Sequence, residues 1–368
     1  MSAVVPARIQ LRLPNDISSI TSADLYEHYG SDFRGRVNSV FTEDTDSGLS
    51  DRLRANVSRF AAYKAEYVSA ALNRALNDEN TPEADRPKLA RAVLRTFNRY
   101  QDAERSTAAA RARTAKQFED FLQPDNVRLF PNLKWLPSRS ADPRVSHTAF
   151  YNHIWSKDDP FWNTNAPGTE WNCKCDIEET DEPLTDNTAV PQPTVPLGLE
   201  GNPAQTGEVF TDNASYIRTY NRSNTQRRKA ESVSQSLERS RLSATAKTNP
   251  LLSERTTCNL NGVEREVGFR DYSITEYAEK MFGTNNYWLK NELLPKMPTY
   301  IKEATWVESR AVDLTHNTSK KTLRLKRKLQ WFHYFRTTLP NGETAIIELV
   351  EYKTGEICLY TMIKTMPQ

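Results

Sequence analysis

Residues 144–175 read RVSHTAFYNHIWSKDDPFWNTNAPGTEWNCKC, a stretch that breaks the helical periodicity before it and leads into none after it. Its two thiols, Cys173 and Cys175, stand one residue apart, so both can reach one ion from a tight turn. Soft sulfur combined with imidazole suits zinc. His147 is the best third ligand, and His153 or Asp142 would complete a tetrahedron. The same residues also read as packing, because cysteine is among the most buried residue types and Phe161, Trp162 and Trp171 can form a small apolar core around it. A Cys173–Cys175 disulfide is the third arrangement, and it would be strained. Under each reading the role is structural. A catalytic zinc needs a vacant position with an acid or base beside it, and the stretch proposes neither.

Upstream of this knot the pattern is helical. Leu53, Val57, Phe60, Tyr67, Val68, Ala71, Leu72 and Ala75 form one buried stripe beginning at the capping residue Ser50 and ending at Asn77-Asp78. Thr81-Pro82-Glu83 and Asp85-Arg86-Pro87 restart a helix. Its stripe runs through Leu89, Val93, Phe97 and Tyr100, then Ala108, Ala112, Ala115, Phe118 and Phe121. The short connection predicts an antiparallel helical hairpin. The first 49 residues, punctuated by Gly and Ser, read as an extended arm with one short helix near Ala23–Tyr29.

Downstream, residues 181–203 hold five prolines and almost no apolar periodicity, the composition of a linker. Residues 213–247 are polar and strongly charged, enough for one solvated helix. A second folded unit opens near Ser253 with CNLNGVEREVGF, whose Asn261-Gly262 signals a tight turn. Helical patterns over Ile274–Phe282 and Tyr287–Leu294 follow, then strand-like runs over Gln330–Leu339, Thr344–Tyr352 and Glu356–Lys364. The expected fold class is α+β multidomain. A long helical hairpin with a small Trp/His/Cys knot (50–181) follows the arm (1–49). A Pro-rich and polar linker (182–252) leads to a domain of helices plus antiparallel sheet (253–368).

Composition narrows the function classes. The chain has 368 residues, 38% hydrophobic and 26% charged, with a net charge of only +2. Whole-protein steering onto nucleic acid is therefore not implied, and such binding must come from local patches. Four cysteines are too few for a disulfide scaffold. No signal sequence is read at the start, and no run approaches the roughly 18 apolar residues of a membrane span. No membrane partner is expected, and a reducing cytoplasm is the natural place of synthesis. The most local basic patch is Lys320, Lys321, Arg324, Lys326, Arg327 and Lys328, directly before Trp331-Phe-His333-Tyr-Phe335. Strand alternation sets Trp331, His333 and Phe335 on one face, an aromatic pair that can stack bases or can simply enclose a satisfied histidine.

Two resemblances follow from these residues. Arg144 and His147, then Asp159-Pro160-Phe161-Trp162, then Pro167 and Trp171-Asn-Cys173-Lys-Cys175 resemble the phage Mu F-like minor head (head morphogenesis) proteins. Arg113-Thr114 and Lys134-Trp135 extend the likeness, which covers about 50–181. Ala115 departs from it, standing where that family usually has Glu. This resemblance implies a minor capsid protein of a tailed bacteriophage, made in the host bacterial cytoplasm and carried inside the virion. It implies association with the portal protein or the major capsid protein, acting in head assembly and DNA packaging or delivery. The basic run, the His-Tyr-Phe strand and the closing Leu359-Tyr-Thr361 strand resemble barnase/EndoU/colicin/RelE-type nuclease domains. That implies metal-independent RNA cleavage, with His333 as acid/base, His316 as a second, Lys326 or Arg327 on the phosphate, and Thr361 lining the site. An RNase effector packaged in the virion is thus the alternative to a purely structural head protein. Contact of the basic run with phage DNA is a third reading.

Overall fold

In the computed structural model, the described residues are 13–140, 143–191, 194–221, 223–280, 282, 286–314, 323 and 325–366. The chain divides into two compact units, Met1–Ser234 and Gln235–Gln368, and the α+β multidomain class holds.

The first unit is built on three helices rather than two. α1 (Ser22–Asn38) starts at a Thr21–Asp24 capping box. It buries Leu25, Tyr29, Phe33 and Val37, one residue per turn along a single face. The short helix expected near Ala23–Tyr29 thus runs on to Asn38 and packs into the core. Gly30 and Gly35 read as interruptions, yet both lie within the helix. α2 (Gly48–Leu76) has 29 residues and is capped by Ser47, three residues before the expected start. α3 (Arg86–Phe121) has 36 residues. At about 1.5 Å per residue the two would be roughly 43 and 54 Å long.

α2 and α3 run antiparallel, as the pairing of Lys64 with Gln101 (2.6 Å) and of Tyr67 with Phe97 (5.9 Å between rings) shows. α1 is antiparallel to α2, with Ser22 against Ser69 and Arg34 against Ser58. The Lys64 ammonium is fully buried between Gln101 and Glu104, and Tyr216 donates to Glu104 at 2.8 Å. A charge so enclosed is tolerable only when paired in this way.

After α3 come α4 (Pro124–Leu129), β1 (Asn132–Leu136), α5 (Val145–Thr148), β2 (Ile154–Ser156), α6 (Phe161–Thr164) and β3 (Asp176–Thr180). β1 is the middle strand of an antiparallel sheet ordered β2-β1-β3. Trp135, Phe150, Trp155, Phe161, Trp162 and Ile177 bury its inner face against Phe118 of α3.

Residues 182–191 of the predicted linker are mostly exposed and without helix or strand, but from Gly198 the chain is packed. α7 (Pro203–Thr206) and α8 (Ser215–Arg218) belong to the first unit. Phe210 stacks on Phe60 with 4.0 Å between rings. Asn56 accepts from the backbone N–H of Val209 and Phe210 at 2.9 Å each. This segment is held by backbone groups and isolated aromatics, so no apolar period announces it.

α9 (Asn224–Thr245) spans the division between the units. In the second unit β4 (Arg255–Leu260) and β5 (Val263–Gly268) form the expected hairpin. Its Asn261 and Gly262 both have positive φ, 51° and 89°, as a two-residue turn of this hand requires. α10 (Asp271–Glu279), α11 (Asn286–Glu292) and α12 (Met297–Glu303) precede β6 (Thr305–Ala311), β7 (Leu329–Thr338), β8 (Thr344–Tyr352) and β9 (Ile357–Ile363). The sheet order is β4-β5-β9-β8-β7-β6. β7, β8 and β9 form the expected meander, but β5 pairs with β9 in parallel, so the sheet is mixed. Among the described residues no helix is long and apolar enough to cross a membrane.

Candidate metal centre

One face of α3 positions the centre. Thr107, Arg111, Thr114 and Gln117 follow at three- and four-residue spacing and therefore line one side of the helix. The Asn172 N–H donates to Thr107 Oγ1 at 3.0 Å. Thr114 Oγ1 donates to the Pro167 carbonyl at 3.0 Å, and Gln117 Nε2 donates to Asp176 Oδ1 at 2.7 Å. Gly168 lies against Arg111 with φ +89°, where a Cβ would sit 2.9 Å from Arg111 Cγ. Loop 167–176 is thus clasped along nearly three turns of helix. Inside it the Cys173 N–H bonds to the Glu170 carbonyl at 3.1 Å, and Asn172 takes a left-handed φ of 59°. This turn brings both thiols to one side.

His147, at the C-terminal side of the one-turn α5, completes a group of three. Its Nδ1 lies 3.3 Å from Cys175 Sγ and 3.7 Å from Cys173 Sγ. All three ligand atoms are buried and within 4.8 Å of one another. The other ring nitrogen, Nε2, is 3.2 Å from Glu170 Oε1. Glu170 in turn accepts from Arg144 and from Ser146 Oγ. The carboxylate therefore fixes the ring orientation and turns Nδ1 toward sulfur, the outer-shell arrangement seen around metal-bound histidines.

The electrostatics fit a shared set of protons. A hydrogen bond from the Cys175 thiol holds Cys173 well below the usual thiol range, with His147 helping against the cost of burial. Cys175 correspondingly holds its proton, shifted well up by that same bond and by burial. Burial disfavours the His147 cation, but the Cys173 thiolate and Glu170 outweigh it and raise the pKa. Burial likewise opposes ionisation of Glu170, and Arg144 and His147 overcome it. The Cys175 sulfur also faces Trp135 and Tyr151, whose Nε1 and Oη are buried with no closer partner among the described residues.

The donor set suits a tetrahedral ion. With bonds of about 2.3 Å to sulfur and about 2.0 Å to nitrogen, a tetrahedron has N···S edges of roughly 3.5 Å. The two observed N···S separations, 3.3 and 3.7 Å, bracket that value. Cys173 and Cys175 are both free thiols, so no disulfide joins them. His153 is not part of the group, its Nδ1 engaging Asn187 Oδ1 at 2.8 Å. Asp142 lies outside the described residues. Trp171 does not enclose the thiols either, since it stacks on Phe210.

This chain is similar to a phage protein. A stretch of 107 residues, 28% of the chain, is 33% identical to the Mu-like prophage FluMu F protein of Haemophilus influenzae. The match spans 23% of that relative, about a quarter of its length. No protein-family model matches the chain, and no solved structure matches it.

Of the described residues expected to form a nuclease site, His333 and Thr361 lie on opposite faces of the sheet. His333 is buried on β7, with Ser309 Oγ 2.7 Å from Nδ1 and Glu351 Oε2 3.1 Å from Nε2. Burial lowers its pKa despite Glu351. It is a satisfied histidine. Thr361 pairs with Glu348, and Glu348 pairs with Tyr334, so Thr361 lies on the sheet face opposite His333. Lys326 Nζ donates to the Asp313 carbonyl at 3.1 Å, Arg327 is exposed, and His316 lies outside the described residues. Sequence reasoning missed the polar cluster on Thr361's face. There Glu348 is buried and shifted up to about 7 by desolvation, with Tyr334 donating to it at 3.2 Å. A Glu in the strand TAIIELVEY was the available signal. Glu170, Thr107 and Arg111 were missed as well, because nothing local distinguishes them from solvated helix and loop residues.

Proposed function

We propose that this chain is a minor head protein of a tailed phage, structural rather than catalytic, carried inside the virion after synthesis in the host cytoplasm. In this reading the first unit docks on the portal protein or the inner face of the major capsid protein during head assembly, and so takes part in DNA packaging or delivery. The observation that carries it is the likeness to the Mu-like prophage F protein. The knot adds a mechanism: zinc held by His147, Cys173 and Cys175 would lock loop 167–176 onto α3 and give the docking surface a fixed shape. This reading assigns the second unit no catalytic role, which the enclosure of His333 and its separation from Thr361 support.

Two measurements test the reading. Phage carrying the chain without residues 50–181 should assemble heads that lack it; normal incorporation of the shortened chain refutes docking through the first unit. Elemental analysis of the purified protein should find about one zinc per chain, lost on Cys173→Ser substitution. A full-length protein that binds no zinc would leave the knot as packing alone and remove the metal from the proposal.

A further inference from the structure

The outer face of α3 carries a line of cations that the proposed function does not use. Lys88, Arg91, Arg95 and Arg99 are all exposed and are spaced three, four and four residues apart. On a helix such positions fall in one arc of about 80° and extend over roughly 16 Å. Between Arg86 and Arg99 the helix has no acidic residue, and its first turn has none. No ion pair joins these four to a described residue, whereas Arg105, further along the helix, pairs with Asp102 at 2.8 Å. Arg91 acts on the exposed Asp16 through its charge alone, after that carboxylate's own hydrogen bonds to Ser18.

Cations near a helix N-terminus oppose the macrodipole, so folding gains nothing from this placement. The positive helix end instead adds to the field of the side chains. With a whole-chain charge of only +2, this field is local. The exposed residues beside the stripe are Leu89, Asn98 and Tyr100, separated single side chains without the broad apolar core that a protein partner would need. Three guanidinium groups and one ammonium on one rigid helix face can meet successive phosphates of a backbone that passes across it. Duplex DNA presents its phosphates at high density and without a folding cost, being stiff over about 150 base pairs.

We infer that the Lys88–Arg99 face of α3 is a sequence-independent binding surface for the backbone of double-stranded DNA. The inference stands on charge geometry and does not depend on the phage-head reading. Contacts of this class go to phosphate and read no bases. Neutralising three or four phosphates gives a slope near −3 in log affinity against log salt, roughly a hundredfold loss between 50 and 200 mM.

The test is fluorescence anisotropy of full-length protein with a 30-base-pair duplex of arbitrary sequence, across that salt range. Arg91→Gln, Arg95→Gln and Arg99→Gln are combined in one variant. A second variant combines Lys326→Gln, Arg327→Gln and Lys328→Gln. The α3 variant should keep the wild-type melting curve, lose tenfold or more in affinity at 50 mM salt and shed most of the slope. A loss that follows the Lys326 variant instead, or an α3 variant binding as wild type, overturns the inference. The second outcome is also the one expected if the stripe serves an acidic protein.

Discussion

Glu170 shows how a single side chain decides what the centre can do. Its carboxylate holds His147 Nε2 at 3.2 Å while Arg144 holds the carboxylate, so the imidazole offers Nδ1 to the two thiols. Glu170→Gln keeps the shape and removes the charge. It should weaken zinc binding by roughly 10- to 100-fold in competition with a chromogenic chelator, the usual cost of losing such an outer-shell carboxylate. Unchanged affinity would mean that the turn alone orients the ring. In the second unit Glu348 makes a prediction of opposite character. Its carboxyl is buried and shifted up to about 7 by desolvation, from an ordinary value of 4.5. Between those values the folded state binds more protons than the unfolded chain, so stability falls as pH rises from about 4.5 to about 7 and then levels off. The full effect is on the order of 3 kcal/mol at pH 8. Glu348→Gln should therefore flatten that decline and raise the denaturant midpoint of the second unit at pH 8 above wild type. A variant less stable than wild type at pH 8 would contradict this account.

At the scale of elements, α3 does two jobs along one face. It closes the helical core near Gln101 and Glu104, and one to four turns later it clasps loop 167–176. Gly168→Ala places a Cβ in a left-handed backbone 2.9 Å from Arg111 Cγ. It should cost about 1–3 kcal/mol in the first unit's unfolding free energy, and more when zinc is removed, since the loop then has only α3 to hold it. No loss would show that the loop shifts freely. Arg111 is fully buried, and burial lowers its pKa to about 10. It donates to the carbonyls of Leu199, Gly201 and Glu208. Arg111→Met should cost roughly 3 kcal/mol or more, because several buried acceptors lose their donor at once. This division of labour explains what the sequence could and could not reveal. The stripes of α2 and α3, the Asn261-Gly262 hairpin and the β7–β9 meander were legible because each repeats a local period or carries an obligatory turn residue. His147, Cys173 and Cys175 were legible because their chemistry is distinctive at any separation. The clasp was not, since Thr107, Arg111 and Thr114 meet their partners across 53 to 97 residues through backbone groups that any sequence supplies. The second half of α1 hid behind two glycines, and His333 and Thr361 were joined on motif order although strand alternation through Glu348 sends them to opposite faces.

For the whole molecule the division into compact units falls after Ser234, so residues 182–234 belong to the first. Residues 182–234 contribute Phe210 to the ring cluster around Phe60 and Tyr216 to the buried Lys64–Glu104 pair, and their carbonyls satisfy Arg111. Removing them would strip an apolar cover from Phe60 and leave a buried guanidinium without acceptors, a combination that costs more than a domain of ordinary stability can lose. A fragment of residues 1–234 should therefore unfold cooperatively and bind zinc with the affinity of the full chain. A fragment of residues 1–181 retains every proposed zinc ligand and should nonetheless aggregate or give a broad, non-cooperative melt. The two fragments separate a self-sufficient knot from one that depends on the strap wrapped around α2 and α3. If the shorter fragment melts as sharply as the longer one, and at the same temperature, then residues 182–234 are an accessory to the fold, and the Arg111 and Tyr216 contacts carry far less of its stability than their burial implies.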